Sequence, residues 1–175
     1  MVCYTEYMTA ISQLQLTYVP DEDRILFRVN TDTNEEFRFW ITRRFSMLLI
    51  QALMAHRAAD PDVSTQVSDA AKQAVQSFKR DEAISQGNFK EDFQSSESFP
   101  LGDSPILAHK LTYRIDGSKL NLSVQPQGGK GINIVLDPQL NFNVSKLLKS
   151  AAESARWGLA WDLDEAEDPA SRVVN

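Results

Sequence analysis

Arg24-Ile25-Leu26-Phe27-Arg28-Val29 and Lys119-Leu120-Asn121-Leu122-Ser123-Val124 carry one pattern 95 residues apart. The offset holds on both sides without a gap. Upstream, Leu16-Thr17-Tyr18 recurs as Leu111-Thr112-Tyr113; downstream, Phe37, Phe39 and Ile41 answer Ile132, Ile134 and Leu136. After a slip of four residues, Leu48-Leu49 and Ala52 answer Leu147-Leu148 and Ala151. Self-similarity at a fixed offset is the signature of a duplicated module.

Each copy is expected to read as three strands and a helix. Leu14, Leu16 and Tyr18 alternate with polar residues, Pro20-Asp21-Glu22-Asp23 supplies a turn, and Ile25, Phe27 and Val29 resume the period of two. A turn over 30–34 precedes Phe37, Phe39 and Ile41. The spacing then becomes helical through Phe45, Leu48, Leu49, Ala52, Leu53 and His56, with Thr42 as N-cap. In the second copy Asp116-Gly117 and Gly128-Gly129-Lys130-Gly131 mark the turns, 137–142 is an inserted loop, and Asn143 caps the helix. The glycine run opens a strand and not a helix, so it reads as a hairpin and not as a phosphate loop.

The expected fold class is therefore α+β: two pseudo-symmetric βββα repeats with antiparallel sheets, joined by an amphipathic linker helix. One domain spans 1–159, with repeats at 14–57 and 107–157, a helical linker at 61–86 and a loop at 87–104. The linker stripe is Val67, Ala71, Ala74, Val75 and Phe78, after a cap at Ser64. Phe89, Phe93 and Phe99 imply that the loop lies on the body. Residues 160–175, with Asp162, Asp164, Glu165, Glu167 and Asp168, form an acidic tail too poor in apolar side chains to fold alone.

The chain of 175 residues has a net charge of −6, unevenly distributed. Residues 106–157 hold seven Lys and Arg against three Asp and Glu, whereas 158–175 hold one against five. An overall acidic chain disfavours avid nonspecific nucleic-acid binding. The single cysteine, Cys3, offers no disulfide, and no basic segment followed by a long apolar run opens the sequence, so a cytoplasmic location is expected. The most apolar stretch, 45–55, is too short to span a bilayer.

Little in the sequence belongs to catalysis. His56 and His109 are the only histidines; His56 follows the helix's apolar stripe, His109 shares parity with Leu111 and Tyr113, and both read as structural. The acidic runs 21–23 and 35–36 read as solvated turn residues. No nucleotide, hydrolase or zinc motif occurs, so no enzyme, cofactor or metal is expected.

Where the two copies differ is more informative. With Ile25, Phe27, Val29, Phe37, Phe39 and Ile41 inward, Arg24, Leu26, Arg28, Arg38 and Trp40 share the outward face. The second copy places Lys119, Asn121, Ser123, Asn133 and Val135 there. Arginine with an exposed aromatic marks protein interfaces and single-strand nucleic-acid platforms alike, unless another segment covers the face. Arg43 and Arg44 stand at a helix N-terminus, against its dipole. The candidate binding residues are Arg24, Arg28, Arg38, Trp40, Arg43 and Arg44. The expected function is a non-enzymatic binding or assembly module, with a protein partner or self-association; the alternative is single-stranded nucleic-acid binding with the acidic tail as an autoinhibitory mimic.

Residues 14–29, 37–45, with Trp40-Ile41-Thr42-Arg43-Arg44 the most recognisable run, and Gly131-Ile132-Asn133-Ile134-Val135-Leu136 resemble a family of bacterial proteins of about this length. The resemblance implies a bacterial cytosolic origin and no particular activity. Strands-then-helix units in tandem are also similar in architecture to Whirly and PUR-type single-strand binders, although those have four strands per unit.

Overall fold

A computed structural model describes residues 7–8, 10–89 and 91–160. The acidic tail lies, from 161 onward, outside the described residues, and so does any inhibitory contact it makes.

The fold is α+β, with two sheets and four helices among the described residues. In chain order these are β1 (Tyr7–Met8), β2 (Ile11–Val19), β3 (Arg24–Thr31), β4 (Glu36–Ile41), α1 (Arg43–Ala58), α2 (Pro61–Ser64), α3 (Asp69–Gln86), β5 (Ile106–Leu107), β6 (Lys110–Asp116), β7 (Lys119–Gln125), β8 (Ile132–Leu136) and α4 (Pro138–Ser154). The first sheet has the order β2-β3-β4-β5 and the second β1-β8-β7-β6.

Each antiparallel trio follows from alternation and turn chemistry. Pro20 opens a single 3-10 turn, and Asp23 closes it in the left-handed region at φ 49°, its amide donating to Pro20 O at 3.1 Å. Ile25 then stands opposite Ile41, Phe27 opposite Phe39 and Val29 opposite Phe37; in the second sheet Leu120 faces Leu136, Leu122 faces Ile134 and Val124 faces Ile132. All twelve are buried. Gly128 and Gly129 take positive φ in the connection to β8, and a Cβ on Gly131 would run into the Val124 carbonyl, so glycine is required there.

Each sheet has a fourth strand where three were expected, and it comes from the other half of the chain. β5, just ahead of the second trio, pairs parallel with β4, matching Trp40 with Leu107; β1, ahead of the first trio, pairs parallel with β8, matching Tyr7 with Ile132. Two-residue strands carry too little periodicity to be read from sequence.

The helices also cross over. α1 lies on β6 and β7, while α4 lies on β2 and β8, and the two helices touch. The apolar faces of both sheets and both helices merge into one buried cluster containing Phe27, Phe39, Leu53, Leu122, Ile134 and Leu148.

Three local expectations change. Residues 138–142 are helical: Asp137 accepts from the Leu140 amide at 2.7 Å with Pro138 next in line, so Asp137, and not Asn143, is the N-cap. The linker 61–86 is two helices, with Ser68, and not Ser64, capping the longer one through the Ala71 amide at 3.2 Å. Its expected stripe is not the buried one. Val67 is fully exposed and Phe78 is 71% exposed. α3 instead turns Ala83 inward against α4, and Lys79 anchors it to Asp60 (2.7 Å) and Asp62 (2.7 Å). Burial would lower the Lys79 pKa, but the hydrogen bonds to both carboxylates outweigh it and hold the pKa above its ordinary value.

Candidate binding surface

The outward face of the first sheet is divided by a strap. Arg28 and Arg38 stand directly opposite each other on β3 and β4, and both direct Nε–H to the same oxygen, Glu36 Oε1, at 2.7 Å each. Glu36, the first residue of β4, is fully buried, and its other oxygen accepts from the Ser96 amide at 3.0 Å. Burial by itself would raise the Glu36 pKa. The hydrogen bonds from Arg38, Arg28 and Ser96 prevail and hold its carboxyl below the ordinary value.

Residues 93–103 form the strap and bind both guanidinium groups. Arg28 donates further to Gln15 Oε1 (3.1 Å) and Ser95 Oγ (2.6 Å), and its guanidinium lies 4.0 Å from the centre of the Phe93 ring. Arg38 donates to the Asp103 carbonyl (2.7 Å) and lies 4.5 Å from the centre of the Phe99 ring. The Glu36 amide donates to Ser98 O at 2.8 Å, the Gln94 amide to Gln13 Oε1 at 3.0 Å, and Asn30 Nδ2 to the Gln94 carbonyl. The expected loop phenylalanines do lie on the body: Phe93 and Phe99 on the two arginines, and Phe89 on Lys146 of α4. Arg28 and Arg38 therefore hold the strap and lie beneath it, where an open sheet was expected.

What the strap leaves uncovered is the other half of the face. Leu26, Trp40 and Leu107 stand in register on β3, β4 and β5; Leu26 and Trp40 are half-buried and Leu107 is 43% exposed. Arg24, two residues before Leu26 on the same face, meets Glu22 at 3.6 Å with much of its side chain exposed. Arg43 and Arg44 are both exposed at the start of α1, whose first turn contains no acidic residue. Arg43 turns to the end of α4, donating from Nε to Trp157 O at 2.9 Å, beside the edge-to-face pair of Tyr18 and Trp157. The six sequence candidates thus fall into three places: Arg28 and Arg38 beneath the strap, Arg24 and Trp40 on the open half, and Arg43 and Arg44 at the helix end.

Glu36 is the residue that sequence reasoning placed wrongly, as a solvated turn acid. Its parity with Arg38 and Trp40 was the available signal. An acid at the same face as two arginines, on the strand that carries one of them, is their natural counter-ion.

His56, buried in α1, donates from Nε2 to Ser118 O (2.9 Å) in the β6–β7 turn and accepts at Nδ1 from Asn141 Nδ2 (2.9 Å), whose other proton goes to Leu53 O (3.0 Å). This links α1, α4 and the second sheet. His109 is exposed. A cleft of about 240 Å³ beside His56 has Asp60, Lys79, Ser118 and Phe142 in its wall, with Lys79 paired to Asp60 and Asp62. Among the described residues no group of three His, Cys, Asp or Glu is placed to hold a metal ion, and no helix is long and apolar enough to cross a membrane.

Compared with protein-family models, curated proteins and solved structures, the chain matches none. The resemblance to the bacterial family rests on the quoted residues alone.

Proposed function

We propose that the protein is a non-enzymatic binding or assembly module of the bacterial cytosol, built from two copies of a βββα unit, that takes a protein partner on the open half of its first sheet. The supporting observation is the row Leu26, Trp40 and Leu107, an apolar stripe with a tryptophan at its centre and Arg24 at its border. Tryptophan and arginine dominate the energetics of protein interfaces when they surround a small desolvated patch. Arg43 and Arg44 add positive charge to the positive end of the α1 dipole, and an acidic border on the partner would relieve both.

Single-stranded nucleic acid fits this geometry less well. The charges most suited to a phosphate track, Arg28 and Arg38, are both engaged by Glu36, and the rings beside them, Phe93 and Phe99, cover those arginines.

A photoreactive amino acid at position 107, beside Trp40, tests the reading in extracts of the source cell. A discrete protein adduct is expected, and Arg24→Glu or Trp40→Ser abolishes it. No adduct, or one indifferent to both changes, overturns the proposal; an adduct destroyed by nuclease reassigns the face to nucleic acid.

A further inference from the structure

Among the described residues, the second sheet ends in an unpaired strand edge. β6 is the last strand of its sheet, and among the described residues nothing pairs with its outer side. Its seven residues run in unbroken register against β7, with no proline and no bulge to blunt the edge. An exposed edge of this kind is a template for another strand. Leu111, Tyr113 and Ile115 face the α1 side, opposite the buried Val124, Leu122 and Leu120, yet Tyr113 is 48% exposed. Lys110, Thr112, Arg114 and Asp116 face the other way.

We infer that two copies of the chain associate through their β6 edges, antiparallel, about a two-fold axis at Tyr113. Directly opposite residues in an antiparallel pair share a face, so a one-residue slip sets apolar against polar side chains and is excluded. Among registers that respect the faces, the one centred on Tyr113 places Lys110 opposite Asp116, Leu111 opposite Ile115 and Tyr113 opposite its own copy. Shifting by two residues in one direction sets Lys110 against Arg114; in the other it sets Arg114 against itself. Of these three registers only the central one pairs opposite charges, it alone overlaps all seven residues of the strand, and symmetry makes the pair twice. Asp116 also lies 3.5 Å from Arg114 of its own strand, but both are widely exposed and remain accessible. The paired strands join the two second sheets into one, with α1 of each copy on the same side. This surface is separate from the Trp40 face, so either proposal stands if the other fails.

Light scattering during size exclusion of the full chain, over a concentration series, tests it. The expected result is a particle of twice the chain mass that dissociates on dilution. Lys110→Asp and Asp116→Lys each set like charges opposite one another and weaken the dimer by about tenfold or more, from two symmetric contacts of order 1 kcal/mol. The double variant restores the pair and returns the dimer to near its original strength. These side chains are exposed, so folding is preserved, and Arg24→Glu leaves the dimer unchanged. A monomer at all concentrations overturns the inference, and so does a dimer that neither single variant weakens or that the double variant fails to restore.

Discussion

Arg38 donates from Nε to Glu36 Oε1 at 2.7 Å, two residues away on one strand, and Glu36 is wholly buried. A carboxylate taken out of water survives ionised only when its lone pairs are filled, and here two guanidinium groups and a strap amide fill them. The consequence is mechanical. The strap is held to the sheet by a charge cluster whose centre it buries.

Removing the centre should therefore cost more than removing the cluster. Glu36→Ala is expected to lower stability by about 3–5 kcal/mol, because it leaves two cations without their counter-ion under the strap. The combined Arg28→Met, Glu36→Leu, Arg38→Met variant should lose much less, as apolar side chains of similar size need no such compensation. Urea denaturation of both gives the comparison, and limited proteolysis within 93–103 should accelerate in Glu36→Ala.

Acid acts on the same group. The folded pKa of Glu36 lies below its unfolded value, so its contribution to stability is fully present above the unfolded pKa of about 4.3 and is lost as pH falls through the folded pKa. Between pH 5 and progressively more acidic solutions the denaturation midpoint should fall more steeply in the natural chain than in Glu36→Gln, which has no proton to take up there.

The His56 link is expected to matter as a unit. Asn141→Leu deprives the His56 Nδ1 and the Leu53 carbonyl of their donor, costing about 1–3 kcal/mol for the buried groups left unsatisfied, and His56→Leu costs a similar amount through Ser118 O and Asn141. Because both act on one network, the double variant should lose less than the two losses added together. Chemical denaturation of the three variants measures the coupling.

For the linker, the structure and the sequence pattern give opposite forecasts. Phe78→Ser should change stability by no more than about 0.5 kcal/mol, since the ring is 71% exposed. Leu53→Ala in the core of α1 should cost about 2–5 kcal/mol. Thermal or urea unfolding separates a ring in solvent from one in a core.

The strand trios, both main helices and the inward residues were legible because strong alternation and helical spacing were repeated in two copies, which cross-checked each other. Phe27 and Leu122, or Phe39 and Ile134, were readable for that reason. Three things were not legible. The exchanged strands β1 and β5 are too short to show a period. The orientation of α3 lies in tertiary contacts, Ala83 against α4 and Lys79 with Asp60 and Asp62, that leave Val67 and Phe78 exposed. The burial of Glu36 depends on a strap nearly 60 residues further along, and no local pattern announces it.

The division of the arginines into a pair that holds the fold and a set open for contact is tested most directly by measuring the unfolding free energy of Arg28→Ala, Arg38→Ala, Arg24→Ala and Arg44→Ala side by side. Arg28→Ala and Arg38→Ala should each lose about 2 kcal/mol or more, through the buried charge of Glu36 left partly uncompensated. Arg24→Ala should stay within about 0.5 kcal/mol of the natural chain, as an exposed ion pair contributes little. Arg44→Ala should be neutral or slightly stabilising, by about 0.3–1 kcal/mol, as a positive charge leaves a helix N-terminus. Four equal losses, or a larger loss at Arg24 and Arg44 than at Arg28 and Arg38, would contradict the division.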